Sequence, residues 1–119
     1  MNGFKAYTDN SVTTQSRGRL IIMLYEGAIK FLKMAISEIE AGNQQSKGVY
    51  INKAQNIISE LNAVLDMDNG GEIAANLRKL YLFMGHNLSQ ANIKQDPEMI
   101  RVVIRLIEQL NNSFKEITY

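Results

Sequence analysis

Cysteine and tryptophan are absent from the 119-residue chain, and proline and histidine occur once each. Without cysteine, neither a disulfide framework nor a thiolate metal site can form, which is compatible with a reducing compartment. A single histidine with no HExxH string argues against a histidine-based metal centre. An excess of one charge is also missing: 13 basic and 12 acidic residues leave a net +1. Phosphate contacts require a basic excess, so nucleic acid is not an expected partner. The longest unbroken apolar run, Leu20 to Tyr25, is far short of the roughly 20 residues that cross a bilayer, so no membrane insertion is expected. The first 18 residues are polar and contain no apolar h-region, which gives no secretory signal.

What remains is 45% hydrophobic and 21% charged, the balance of a folded domain rather than a disordered chain. The length fits one domain with a real but modest core. No stretch alternates apolar and polar residues between turn pairs, so strands are not expected. Four helical patterns occur, from about Arg17 to Ala41, Ser46 to Asp66, Glu72 to Asn92 and Pro97 to Thr118. Asp96-Pro97 is the clearest start, with a capping carboxylate followed by a proline whose missing N–H costs nothing at the first helical position. Ala41-Gly42-Asn43 and Asn69-Gly70-Gly71 supply left-handed exits, and Glu72 suits a positive helix N-terminus. The connections are short, so an all-α, antiparallel up-down four-helix bundle is expected over residues 17–119.

Each helix has a core seam at alternating spacings of three and four. The first carries Ile21, Tyr25, Ala28, Leu32, Ala35 and Ile39; the second, Tyr50, Ala54, Ile57, Leu61 and Val64. The third carries Ala74, Leu77, Tyr81, Met84, Leu88 and Ala91; the fourth, Met99, Val103, Leu106, Leu110, Phe114 and Ile117. At 100° per residue the second helix's apolar arc is about 140° wide, the fourth's about 200° and the first's about 260°. Val102 and Ile104 widen the fourth. Leu20, Ile22, Met23, Leu24, Ile29, Phe31, Met34 and Ile36 widen the first. That surplus exceeds what one bundle core can cover, and an apolar groove for a partner is the functional reading. Ile22, Met23, Ile29, Met34, Val102 and Ile104 are the candidate partner-binding residues on the helices. Gly27 and Gly85 lie inside helices, where glycine costs about 1 kcal/mol relative to alanine. Close helix approach accounts for Gly27, whereas Gly85 lies about 80° off its seam, with no such reason.

Chemistry is scarce. Gly70-Gly71 follows no strand and lacks the spacing of a phosphate loop. Asp66-Met67-Asp68-Asn69-Gly70 begins like a calcium loop, but with Asp66 first the twelfth position is Leu77 rather than a bidentate glutamate. An acidic helix–helix turn is the better reading. Glu26 and Lys30 sit four apart, a favourable spacing. Arg101 and Arg105 form a like-charge pair at the same spacing. His86 lies opposite its seam and is expected on the surface. A bundle with one exposed histidine is similar to histidine phosphotransfer domains, whose motif resembles H-x-L-K-G. The string His86-Asn87-Leu88-Ser89-Gln90 keeps the leucine but not the lysine or glycine.

Longer strings point elsewhere. Met23-Leu24-Tyr25-Glu26-Gly27-Ala28-Ile29 followed by Phe31-Leu32 resembles the signature of the flagellar export chaperones, the FliS family. Lys53-Ala54-Gln55 with Ile57-Ile58, Glu60-Leu61 and Leu65-Asp66 agrees in order and spacing. So does Gly70-Gly71-Glu72-Ile73-Ala74 with Asn76-Leu77, Leu80-Tyr81, Phe83-Met84 and Ala91-Asn92. Ala6-Tyr7 resembles the family's opening. Ser16-Arg17-Gly18 departs from it, because a proline often stands there, and Phe114 fills the place of a late aromatic. The resemblance implies a cytoplasmic bundle that binds the C-terminal segment of flagellin, prevents premature polymerisation and assists delivery to the export apparatus. It implies neither enzymatic activity nor a cofactor.

Residues 1–16 are too polar and short for a domain, yet Phe4, Tyr7 and Val12 are apolar enough to dock. This segment is expected to be either flexible or folded back over the groove as a cap, with Tyr7 as its main anchor and as a partner-binding residue.

Overall fold

The computed structural model describes the backbone of residues 3–118 and the side chains of residues 17–117. Four helices follow one another: α1 (Gly3–Ala41), α2 (Gln44–Ala63), α3 (Gly71–Lys94) and α4 (Pro97–Thr118). No strand occurs among the described residues. Each helix packs on two neighbours, in the ring order α1, α2, α3, α4. Pairings across the seams run antiparallel: Glu40 meets Arg101 while Glu26 meets Lys115, and Lys47 meets Asn92 while Gln55 meets Gly85. The fold is the all-α up-down four-helix bundle.

The turns follow the local chemistry. Gly42 (φ 79°) and Gly71 (φ 57°) take the left-handed conformation that glycine adopts without steric cost. Asp96 Oδ1 accepts the Glu98 N–H at 2.9 Å, the capping contact expected of Asp96-Pro97. Asp66 accepts both the backbone N–H and the side-chain amide of Asn69, at 3.0 and 3.1 Å. Those bonds hold its carboxyl below the usual carboxylate range and make the Asp66–Gly70 stretch an Asx-type turn. Boundaries differ from the sequence reading at several points, including the starts of α2 at Gln44 and of α3 at Gly71. α1 begins ahead of Arg17, α2 stops at Ala63 rather than Asp66, and α3 continues to Lys94.

The core is built from Leu32, Ile51, Leu61, Met84, Leu88, Ile100, Val103 and Ile107, all fully buried. α1 and α3 bury the residues their spacing predicts, Tyr25, Ala28, Leu32 and Ala35 with Tyr81, Met84, Leu88 and Ala91. α2 keeps Ala54 and Leu61 of its expected seam inside and α4 keeps Val103, but both helices are turned, α4 by about one residue and α2 by less. Ile51 and Ile58 go inside in place of Tyr50 and Ile57, and Ile100 and Ile107 in place of Met99 and Leu106. On α2 the cause lies in α1: the Phe31 ring stacks on Tyr50 at 6.2 Å. A Cβ on Gly27 would lie 3.4 Å from Ile57 Cδ1, so the glycine gives Ile57 its berth.

On α4 the rotation brings Arg101 and Lys115 to the carboxylates of α1. Arg101 bonds Glu40 at 3.3 Å and Glu98 at 3.0 Å, and Glu98 also reaches Arg105 at 3.7 Å. The two arginines thus share an acid that their spacing alone did not reveal. Glu26 pairs with Lys115 at 2.8 Å rather than with Lys30, and that bond holds its carboxyl below the usual range. These pairs are solvent-exposed, so each adds little stability and they accompany the rotation rather than cause it. The same rotation buries Asn111, whose Oδ1 has no hydrogen-bond partner.

Two phenols meet inside the bundle: Tyr25 and Tyr81 share a hydroxyl–hydroxyl bond of 2.6 Å between α1 and α3. Burial pushes both phenols up, and for Tyr81 the bond to Tyr25 adds to the rise. The unfolded chain releases these protons near pH 10, whereas the folded chain retains them. The contribution is therefore complete below about pH 10 and lost as pH rises through the raised folded values. Urea denaturation as a function of pH should show stability falling above about pH 10. The Tyr25→Phe/Tyr81→Phe double variant should show a shallower fall. Equal slopes would contradict the assignment.

Candidate functional site

α3 and α4 are tied where the Asn87 side-chain amide donates to the Met99 carbonyl at 2.9 Å. That contact fixes which strips of the two helices face each other. Stepping back along α3 by threes and fours from Asn87 gives Phe83, Leu80, Asn76 and Ile73. Stepping forward along α4 from Met99 gives Val102, Leu106, Leu110, Ser113 and Ile117. Because the helices are antiparallel, the two rows border one valley. Leu80, Val102, Leu106 and Leu110 are half-buried there, while Phe83 is 46% exposed, Ile73 75% and Ile117 82%. The rotation of α4 produces this surface: moving Ile100 and Ile107 inward leaves Leu106 and Leu110 in the valley.

The candidate residues from sequence do not converge on one patch. Val102 lies in the α3/α4 valley. Met23, 67% exposed, and half-buried Met34 lie on the strip of α1 that carries Gly27 beside α2. Ile29 is half-buried in the α1/α4 seam, in a notch with Glu26, Glu108, Asn111 and Asn112. Ile22 and Ile104, expected at the partner-binding edge, are buried side chains. Ile104 turns inward with the α4 rotation, and Ile22 sits one turn before Tyr25 on the buried face. The cap residues Phe4, Tyr7 and Val12 have side chains outside those described.

Sequence reasoning passed over Phe83, Leu80 and Ile73. Their signal was the apolar run on the α4-facing flank of the α3 seam, Ile73 with Leu80 and Phe83. The surplus of α1 is meanwhile absorbed in part: Ile36 is buried, and Phe31 is covered by Tyr50 and by Lys53, whose Nζ lies 5.3 Å from the ring centre.

Among the described residues one cation is buried. Lys47, 7% exposed, donates from Nζ to the Asn92 carbonyl at 3.0 Å. It caps the negative end of α3 and ties α2 to it. No cluster of three metal-ligating side chains occurs among the described residues, and no described helix is long and apolar enough to cross a membrane. His86 is exposed on α3, at the rim of a cleft beside α2. His86→Ala should change the unfolding free energy by no more than about 0.5 kcal/mol and leave partner binding intact. Parallel thermal melts and binding titrations check this, and transfer of label to His86 from a phosphorylated receiver would point to phosphotransfer instead.

These features define the class: a four-helix bundle whose inter-helix valleys expose apolar side chains. The family model described as "Flagellar protein FliS" matches residues 1–119. The chain is 37% identical over 115 residues to the flagellar secretion chaperone FliS of Bacillus subtilis, covering 97% of this chain and 85% of that protein. It is 38% identical over 122 residues to the flagellar secretion chaperone FliS of Salmonella typhimurium, covering 98% and 90%. The Vibrio cholerae counterpart is 36% identical over 113 residues, covering 95% and 83%. The chain belongs to the FliS family of flagellar secretion chaperones.

Proposed function

We propose that this protein is a cytoplasmic, non-enzymatic chaperone that binds the C-terminal segment of flagellin, keeps it from polymerising prematurely and assists its passage to the export apparatus. The observation that carries this reading is the α3/α4 valley, with Phe83, Leu80, Val102 and Leu106 along it and uncharged Asn76 and Asn87 on its flank. An unassembled filament subunit has amphipathic ends with nothing to pack against, and such segments stay disordered until they meet a groove. A helix laid in the valley presents anchors at i, i+3, i+4 and i+7. Exposed Met23 offers a side chain that repacks cheaply around a variable client. Titrating the protein with a peptide of flagellin's C-terminal segment tests the reading. Saturable binding with a gain of helical circular dichroism, beyond the sum of the components, is expected. No binding, or binding equal to that of a scrambled peptide, would overturn it.

Residues 1–16 enter the same proposal as a cap that covers part of the groove in the client-free protein, with Tyr7 as anchor. A covered site lowers apparent affinity in proportion to the uncovered fraction. Deleting residues 1–14 should therefore tighten peptide binding and promote self-association of the free protein. Unchanged affinity and an unchanged monomer would remove the cap from the account.

A further inference from the structure

Gly85 stands in the middle of α3, and nothing among the described residues requires a glycine there. A Cβ at Gly85 would meet no atom within 4 Å. Gly27 and Gly48, also inside helices, differ. Gly27 makes room for Ile57, and a Cβ on Gly48 would sit 4.0 Å from Asn92 Oδ1, where α2 and α3 converge. From that convergence, locked by Lys47 on the Asn92 carbonyl, the two helices leave a cleft of about 370 Å³ at Gly85. Leu82, Ile58 and Tyr81 contribute apolar wall, and no carboxylate, ammonium or guanidinium group lines it. Leu82 is 59% exposed. The Gln55 amide spans the gap, donating to the Gly85 carbonyl at 3.2 Å and to Ser89 Oγ at 2.9 Å. That bridge ties α2 to α3 beside the cleft and fixes its width, so the cleft is formed before anything enters it.

We infer that the Gly85 cleft is a subsite for one large apolar side chain (leucine, isoleucine, methionine or phenylalanine) of the client segment, with the client backbone crossing α3 at Gly85. The inference rests on the proposed function. The cleft also carries the polar groups of Ser59, Asn62 and Ser89 and the His86 imidazole at its rim, but a charged side chain would meet no carboxylate, ammonium or guanidinium there, whereas an apolar one packs on Leu82, Ile58 and Tyr81. The missing Cβ lets a second backbone approach closely, the use glycine serves where a ligand meets a helix. The cleft lies on the α2 flank of α3 and the Phe83 valley on its α4 flank, so a client engaging both would straddle α3.

Gly85→Leu fills the cleft from inside, and Leu82→Asp charges its exposed wall without touching the core. Both are tested with a labelled peptide of flagellin's C-terminal segment, each apolar residue of the peptide being replaced in turn by alanine. Gly85→Leu should melt no lower than the wild type and bind the peptide at least about tenfold more weakly, with Leu82→Asp showing a similar loss. One peptide position should be decisive: its alanine replacement weakens binding to the wild type by about tenfold and to Gly85→Leu by less than about twofold. If Gly85→Leu does not fold, Leu82→Asp and the alanine series on the wild type decide. Wild-type affinity in both variants, or in Leu82→Asp alone where Gly85→Leu is unfolded, overturns the subsite and leaves the proposed function standing. A wild-type protein that binds no flagellin segment overturns both, and is recognised before any variant is made. Self-association of the free protein that Gly85→Leu abolishes, with peptide affinity unchanged, would give the cleft to a second copy of the chain and also overturn the inference.

Discussion

Leu88→Ala is expected to lower the unfolding free energy by about 3–5 kcal/mol. Leu88 is fully buried at the centre of α3, among core side chains from the other helices. Truncation removes its transfer free energy and leaves a cavity that long, cross-braced helices cannot collapse to fill. Domains of this size hold only about 5–15 kcal/mol in total, so the variant should sit close to unfolding at room temperature. Leu82, exposed on the same helix, is the internal control: Leu82→Ala should change the unfolding free energy measured in urea by no more than about 0.5 kcal/mol. Equal losses at the two positions would mean that α3 is not seated as described.

The second large effect concerns binding. Val102→Asp and Phe83→Asp should each weaken the flagellin segment's binding by at least about thirtyfold, equivalent to about 2 kcal/mol, with the helical circular dichroism unchanged. A carboxylate in the α3/α4 valley would be desolvated by the client and find no partner there. Ile29→Asp is the contrasting case. It places a carboxylate beside Glu26 and Glu108 in the α1/α4 seam, on the other flank of α4 from the valley. It should lower stability through like-charge repulsion and leave the affinity of the folded fraction within about twofold. If Ile29→Asp abolishes binding while Val102→Asp does not, the client uses the first helix and the valley is not its site.

Why some of this was readable in advance, and some not, comes down to how many registers a helix's apolar pattern allows. α3 has one dominant choice: Tyr81, Met84, Leu88 and Ala91 leave little freedom, and the expected seam is the buried one. α2 has Ile57 beside Ile58 and Tyr50 beside Ile51, so two faces separated by one residue are almost equally apolar. Periodicity cannot choose between them. The choice is made by α1, through the Phe31 ring against Tyr50 and the space above Gly27. On α4 the register that buries Ile100, Val103, Ile104 and Ile107 is chosen by packing against the other helices, it brings Arg101 and Lys115 to Glu40 and Glu26, and its cost is a buried Asn111 oxygen without a partner. Those contacts span 61 and 89 positions of sequence, and no local pattern encodes them.

The candidate surface suffered from the same ambiguity. Counting apolar arcs correctly showed more apolar side chain than one core could absorb, but assigned most of the surplus to α1. There, helix packing consumes Ile22, Ile36 and much of Phe31. The surplus left outside lies largely on α3 and α4, at Ile73, Phe83 and Ile117. Val102 was legible as an edge residue because it lies outside its seam in either register, whereas Ile104 changes from edge to core when α4 turns by one residue. Turn chemistry carried the most local information: Asp96-Pro97, Gly42 and Gly71 behave as their residue types require, whatever the helices beyond them do.

The central claim is that this bundle holds the C-terminal segment of flagellin. Its most direct test is co-expression with flagellin of the same organism, followed by size-exclusion chromatography of the lysate. With full-length flagellin the two chains should elute together as a soluble complex of defined stoichiometry. With flagellin lacking its last segment, the chaperone should elute alone at the position of the free protein. Co-elution that survives the truncation, or no complex with the full-length chain, would contradict the account.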